Sequence, residues 1–263
     1  MREPPDMRDR RPGGLEFNGG HGNCPGSTGG RTAIPGIAGR SKWPGPVADN
    51  ARYSYVLLDL LEFQRIRNIN AVRWDGVGWY GGDNHRLWIK SEGEQYSSSR
   101  TGGQFDIQAL FGKLVSPFFD LQAGVRYEKH VESNNPQRVF AVIGLQGLAP
   151  GRFDIEPTFF VSNKGKTSLS FTGTWEALLT QRLVLQPRFD TEIAFQRDSE
   201  FGISRGVNDV EFGLRLRYEV RREFAPYVGV TFRQSFDATA QRVTREGGVP
   251  NALEFVVGLR VWH

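Results

Sequence analysis

The sequence predicts an all-β protein: a single closed antiparallel up-and-down transmembrane β-barrel of about twelve strands (range about 8–14), preceded by a disordered arm. Three observations predict it. Apolar and polar side chains alternate along nearly all of residues 51–263, which places them on opposite faces of strands. The alternating runs reach about 11–14 residues, enough for a tilted membrane strand and longer than the usual globular strand of about 5–6. The connections alternate as well, tight at one end and longer and more polar at the other.

Residues 1–50 are a separate segment. Pro4, Pro5, Pro12, Pro25, Pro35, Pro44 and Pro46 are half of the chain's 14 prolines, with glycines between them. Such a segment buries too little apolar surface to offset the entropy of ordering it, so it is expected to be disordered. It lacks the basic-then-apolar-then-small pattern of a secretory leader, so either the leader lies elsewhere, beyond a misassigned start, or the chain is not exported.

From Tyr53 onward the alternation is nearly continuous. Glu62 and Gln64 oppose Leu61 and Phe63, Asp106 and Gln108 oppose Phe105 and Ile107, and Arg126 and Glu128 oppose Val125 and Tyr127. The stretch 152–176 sets Asp154, Glu156 and Glu176 against Phe153, Ile155, Phe159, Leu169, Phe171 and Trp175. Asp190 and Glu192 oppose Phe189 and Ile193, Glu211, Arg215 and Arg217 oppose Phe212, Leu214 and Leu216, and the last run alternates from Leu253 to Val261. No segment shows helical periodicity. Tight turns fall at 81–84, 116–118, 149–151, 180–182 and 221–223. Longer loops fall at 67–71, 97–102, 130–137, 163–166, 197–206 and 236–252. Short turns and both ends of the barrel then lie on the periplasmic side. Pro157 removes a ladder donor in mid-strand and predicts a local bulge.

The competing reading is a soluble β-sandwich with its apolar face inward. Strand length, the two-sided turn rhythm and aromatics near strand ends (Tyr53, Tyr55, Trp79, Tyr80, Phe118, Phe119, Phe153, Trp175, Phe224, Trp262) favour the membrane barrel, with these rings as interfacial girdles. The charged face then lines a narrow lumen, either as a structural ion-pair network or as a polar path for a cation.

Composition excludes several classes. A hydrophobic fraction of 38% resembles a soluble protein, but barrels are apolar on one face only. No run approaches the roughly 18 apolar residues of a spanning helix. The 33 basic and 29 acidic residues are intermixed for a net charge of +4, without the basic patch of a nucleic-acid binder. Cys24 is the only cysteine, so neither a disulfide within the chain nor a multi-cysteine metal cage can form.

The stretches "VLLDLLEFQ" (56–64), "WYGGDNHRLWIKSEGE" (79–94), "GLQGLAPGRFDIE" (144–156), "LLTQRLVLQPRFDTEI" (178–193) and "LRLRYEVRREFAPYVGV" (214–230) together resemble the copper-resistance protein B family (CopB/PcoB). The resemblance covers nearly all of residues 53–263. It implies a bacterial outer-membrane barrel that binds or passes copper ions between periplasm and exterior. Its partners would be outer-membrane lipid, copper and a periplasmic copper-handling protein, and it implies no catalytic reaction. A narrow structural or general-solute barrel is the alternative. Family members carry a Met- and His-rich arm, whereas the first 50 residues here offer only Met1, Met7, His21 and Cys24.

The candidate copper ligands are few. His85 follows Asp83 at a periplasmic turn, and His130 follows Glu128 at an extracellular loop, so the two histidines sit at opposite mouths. Glu92, Glu94 and Glu128 offer carboxylates inside the lumen, suited to weak Cu(II) binding. His21 and Cys24, in "GGHGNC", have a spacing that suits a soft cation. A Ser-His hydrolase site built from Ser91 or Ser99 with His85 has only sequence proximity behind it, and such sites are defined by geometry.

Overall fold

The computed structural model describes residues 51–66, 69–97, 102–131 and 136–263. The arm at 1–50, with His21 and Cys24, lies outside them. In chain order the elements are β1 (Tyr53–Ile66), β2 (Ile69–Gly81), β3 (His85–Ser97), β4 (Gly103–Ser116), β5 (Phe119–Val131), β6 (Gln137–Ala149), β7 (Phe153–Ser162), β8 (Thr167–Trp175), β9 (Ala177–Leu178), β10 (Leu183–Ala194), β11 (Gly206–Tyr218), β12 (Phe224–Ser235), helix α1 (Asp237–Arg245) and β13 (Asn251–Trp262).

Each strand pairs antiparallel with its sequence neighbours, and β1 pairs with β13. The two-residue β9 continues β8 past Glu176 on the same partner, β10, so the wall has twelve staves. Closure runs to the last residue: the Val56 amide donates to the His263 carbonyl at 2.9 Å, and the His263 amide donates back at 2.8 Å. A closed ladder leaves no unpaired edge, as hydrocarbon requires.

The two faces are inverted relative to a soluble protein. Along β13, Phe255 is 62% exposed while the adjacent Glu254 is fully buried. Phe63, Ile89, Val125, Ile143, Phe212 and Val257 likewise point outward, whereas Arg215, Arg217, Glu62 and Gln64 are buried inside. Large apolar side chains on the outside of a closed wall are explained only by lipid. The soluble sandwich is therefore excluded.

Four local expectations are corrected. The connection expected at 67–71 is confined to 67–68, because Ile69, Asn70 and Ala71 already pair in β2. Pro157 causes no bulge: β7 keeps one register against both neighbours, and the only effect is a gap in the β6–β7 ladder opposite Pro157 and Glu156. The aromatics cited above do not form two girdles but all lie at the short-turn rim, where Tyr55 approaches both Trp79 and Trp262 at 6.1 Å. Finally, the long β12–β13 connection contains α1. This helix ends in Gly247, at positive φ, with the Gly247 and Gly248 amides donating to Thr244 and Val243 carbonyls, a Schellman closure.

Candidate functional site

The interior is asymmetric. On one side, β1 and β11–β13 fill the lumen with a packed polar network: Arg215 Nε donates to Glu62 Oε1 at 2.6 Å, and Gln64, Thr231 and Glu254 are fully buried around it. Beside it a cavity of about 660 Å³ opens, lined chiefly by β2–β10, with Asp59 of β1, Asp209 and Glu211 of β11, Arg233 of β12, Arg260 of β13 and side chains of α1 completing it. Fourteen acidic and nine basic side chains line it, a formal charge of −5 inside a chain of net +4.

Strand register explains how these acids are arranged. Asp75 on β2 lies directly opposite Glu92 on β3, Glu92 opposite Asp106 on β4, and Asp106 opposite Glu128 on β5. Four carboxylates on four consecutive strands thus form one row across the inner wall. Directly opposed like charges destabilise a sheet by about 0.2–1 kcal/mol per pair. The same pattern recurs on the far wall, where Asp190 faces Glu211 and Glu192 faces Asp209.

Arginines offset most of the row. Arg188 Nη2 donates to Asp75 at 3.0 Å, Arg126 Nη2 to Asp106 at 2.9 Å, and Arg138 Nη2 to Glu128 at 2.7 Å. Arg126 and Arg138 are held by aromatic faces, Arg126 over Phe160 at 4.8 Å and Arg138 over Phe140 at 4.7 Å. These rings belong to an inner apolar cluster with Trp88, Leu110 and Val142. The Trp88 ring abuts Gly112, where a Cβ would come within 2.4 Å of its ring nitrogen. Glu92, in the middle of the row, has no hydrogen bond or ion pair to any described residue, and the same holds for Glu192 and for the Asp209 carboxylate.

The row ends at His130. The sequence places this residue in an extracellular loop; it sits instead on the inward face near the end of β5 and is buried. Its Nε2 is 2.8 Å from Glu128 Oε1, and its Nδ1 is 3.2 Å from Glu246 Oε1 and 3.0 Å from Arg242 Nη1. Arg242 and Glu246 belong to α1 and its C-cap, so the helix is anchored on this histidine inside the long-loop mouth. Thr239 bonds Asn208 at 3.1 Å, and Phe201, from the 195–205 connection, packs edge-on against the His130 ring. Burial opposes the charge of Arg242, but the carboxylates of Glu246, Glu128 and Glu192 outweigh it and hold the guanidinium above its usual range.

The other expected ligands are dispersed. His85 opens β3 at the opposite, short-turn rim, exposed on the outer face with its ring 5.6 Å from Phe111. The Asp83 carbonyl accepts a 3.5 Å bond from Arg86. Glu94 is bound by Arg233 at 2.8 Å. Ser91 faces outward and accepts from Trp74 Nε1 at 3.3 Å, away from His85. Among the described residues no three His, Cys, Asp or Glu side chains converge as a ready metal cage. Sequence reasoning missed Asp75, Asp106 and Arg188 as parts of one arrangement, because the row appears only once the register aligns four strands.

Comparison with known proteins agrees with this architecture. The family model "Copper resistance protein B precursor (CopB)" matches residues 52–263. The chain is 44% identical over 216 residues to Copper resistance protein B of Escherichia coli, covering 82% of this chain and 71% of that protein. It is 39% identical over 219 residues to the Copper resistance protein B homolog of Pseudomonas syringae pv. tomato (strain ATCC BAA-871 / DC3000), covering 82% and 72%. Among solved structures a NanC porin superposes with a TM-score of 0.50 at 10% identity, over 80% of this chain and 99% of that one, a likeness of fold. The chain belongs to the copper resistance protein B family, a bacterial outer-membrane barrel with a role in copper resistance.

Proposed function

We propose that the open side of the lumen takes copper ions from solution and holds them weakly or passes them between periplasm and exterior, without catalysis. The observation that carries this reading is the carboxylate row Asp75–Glu92–Asp106–Glu128, in which like charges oppose one another and Glu92 has no hydrogen bond or ion pair to any described residue. A purely structural network would alternate acids with bases across neighbouring strands. The row also leads to the imidazole of His130, and mixed oxygen and nitrogen donors suit Cu(II). Dispersed ligands fit transient occupancy better than tight storage. The short-turn rim, turned to the periplasm, is where a periplasmic copper-handling protein would exchange the ion.

The test is Cu(II) titration of the refolded barrel in detergent. Saturable binding is expected, weakened by about tenfold in Glu92→Gln, the effect of about 1.4 kcal/mol. His130→Ala should weaken it as well, and His85→Ala should leave it unchanged. Binding no better than to a metal-free porin of similar size would remove copper from the lumen and leave a narrow general-solute barrel.

A further inference from the structure

Several ion pairs reach across the lumen, Arg73 to Glu211, Lys90 to Glu156 and Arg233 to Glu94 among them, and among the described residues the widest reach is that of Arg188. Arg188 stands at the middle of β10, and its guanidinium reaches Asp75 on β2 at 3.0 Å, Asp59 on β1 at 3.4 Å and Asp190 on its own strand at 2.9 Å. In the ring of staves β1 lies four steps from β10 and β2 five, out of a maximum of six, so these contacts run across the interior. Asp59 and Asp75 are themselves near the middle of their strands, Asp59 at the β-bulge that shifts the register of β1 against both neighbours. That bulge turns the Asp59 carboxylate inward beside Leu60. Arg260 also binds Asp59, at 2.9 Å. Three aspartates from three strands therefore converge on one tethered cation at mid-membrane depth.

We propose that Arg188 is the resident cation of the constriction: it closes the lumen at mid-height, and a permeating cation has to take its place among Asp59, Asp75 and Asp190. The device rests on the lumen being the route named above, but not on the ion being copper. Selectivity follows from the charges. Without Arg188 the three aspartates favour cations; without Asp59 and Asp75 the remaining guanidiniums favour anions.

The experiment is current recording across planar bilayers in a potassium chloride gradient, using full-length barrels whose folding is verified by heat-modifiable mobility. Because α1 occupies the long-loop mouth, each variant is made alone and with Arg242→Ala, which removes the helix's bond to Gln104 and one of its two contacts with His130, leaving that of Glu246. Arg188→Gln is expected to raise conductance and move the reversal potential toward the potassium value, in one background or both. Asp59→Asn with Asp75→Asn is expected to move it toward the chloride value, and this second variant carries the test where Arg188→Gln does not fold. Arg188→Lys should retain the parent behaviour. A folded Arg188→Gln/Arg242→Ala barrel indistinguishable from Arg242→Ala, or the two charge variants shifting the potential the same way, would overturn the assignment. No copper is present, so failure of the copper titration and failure of this test are separate results.

Discussion

The two sides of the lumen are built from the same residue types to opposite ends. On the packed side, Glu62 and Arg215 are almost completely buried, 2.6 Å apart, and away from the cavity. On the open side, carboxylates stand next to carboxylates, and Glu92 has no counter-ion in contact among the described residues. Fully desolvated charges survive only when paired, whereas charges facing an aqueous cavity can be left unpaired at modest cost. The packed side therefore supports the wall, and the open side leaves carboxylates facing the cavity, as the proposed ion binding needs.

The largest effect that sharpens this contrast comes from the packed side. Glu62→Ala leaves the Arg215 guanidinium buried without its carboxylate, and the expected loss is about 3–5 kcal/mol. Denaturant unfolding from detergent or lipid, followed by heat-modifiable mobility, measures it. A loss no larger than that of an exposed substitution would mean that water reaches Arg215 and that the two sides are alike.

The next effect compares the faces of one strand. Val125, at the middle of β5, is more than half exposed on the outer wall, and Val125→Arg is expected to cost about 2–4 kcal/mol at the bilayer midplane. One residue on, Arg126 is already an arginine and is bound by Asp106 and Glu128. Equal tolerance of Val125→Arg and the native Arg126 in a lipid-refolding assay would contradict the assignment of outside and inside.

What was legible in the sequence follows from the same period of two. The alternation of Phe63 with Glu62 and Gln64, or of Phe255 with Glu254, specifies faces, strand number and closure, because each strand carries its own signal. The carboxylate row was not legible: Asp75, Glu92, Asp106 and Glu128 are far apart in sequence, and a shift of one residue in any register would dissolve it. Helix α1 was hidden for another reason. Its nine residues, "DATAQRVTR", bury only Thr239 and Val243, too narrow a stripe to register as helical periodicity, although Gly247-Gly248 carries a stop signal. His130 was read as a loop residue because it follows Glu128-Lys129 and is followed, after Val131, by the polar run Glu132-Ser133-Asn134-Asn135, and polarity facing a lumen looks like polarity facing water.

The smallest expected effect is the most discriminating. Glu92→Gln removes the middle charge from the row without changing side-chain size, and relief of repulsion from Asp75 and Asp106 should stabilise the barrel by about 0.2–1 kcal/mol per pair. The same substitution should weaken Cu(II) binding. A change that raises stability while lowering ion affinity is the signature of charge kept for function at a cost to the fold. Unfolding and titration on one preparation read both quantities. If Glu92→Gln instead destabilises the barrel, Glu92 is a structural partner within the wall, and the open side differs from the packed side only in how much space it encloses.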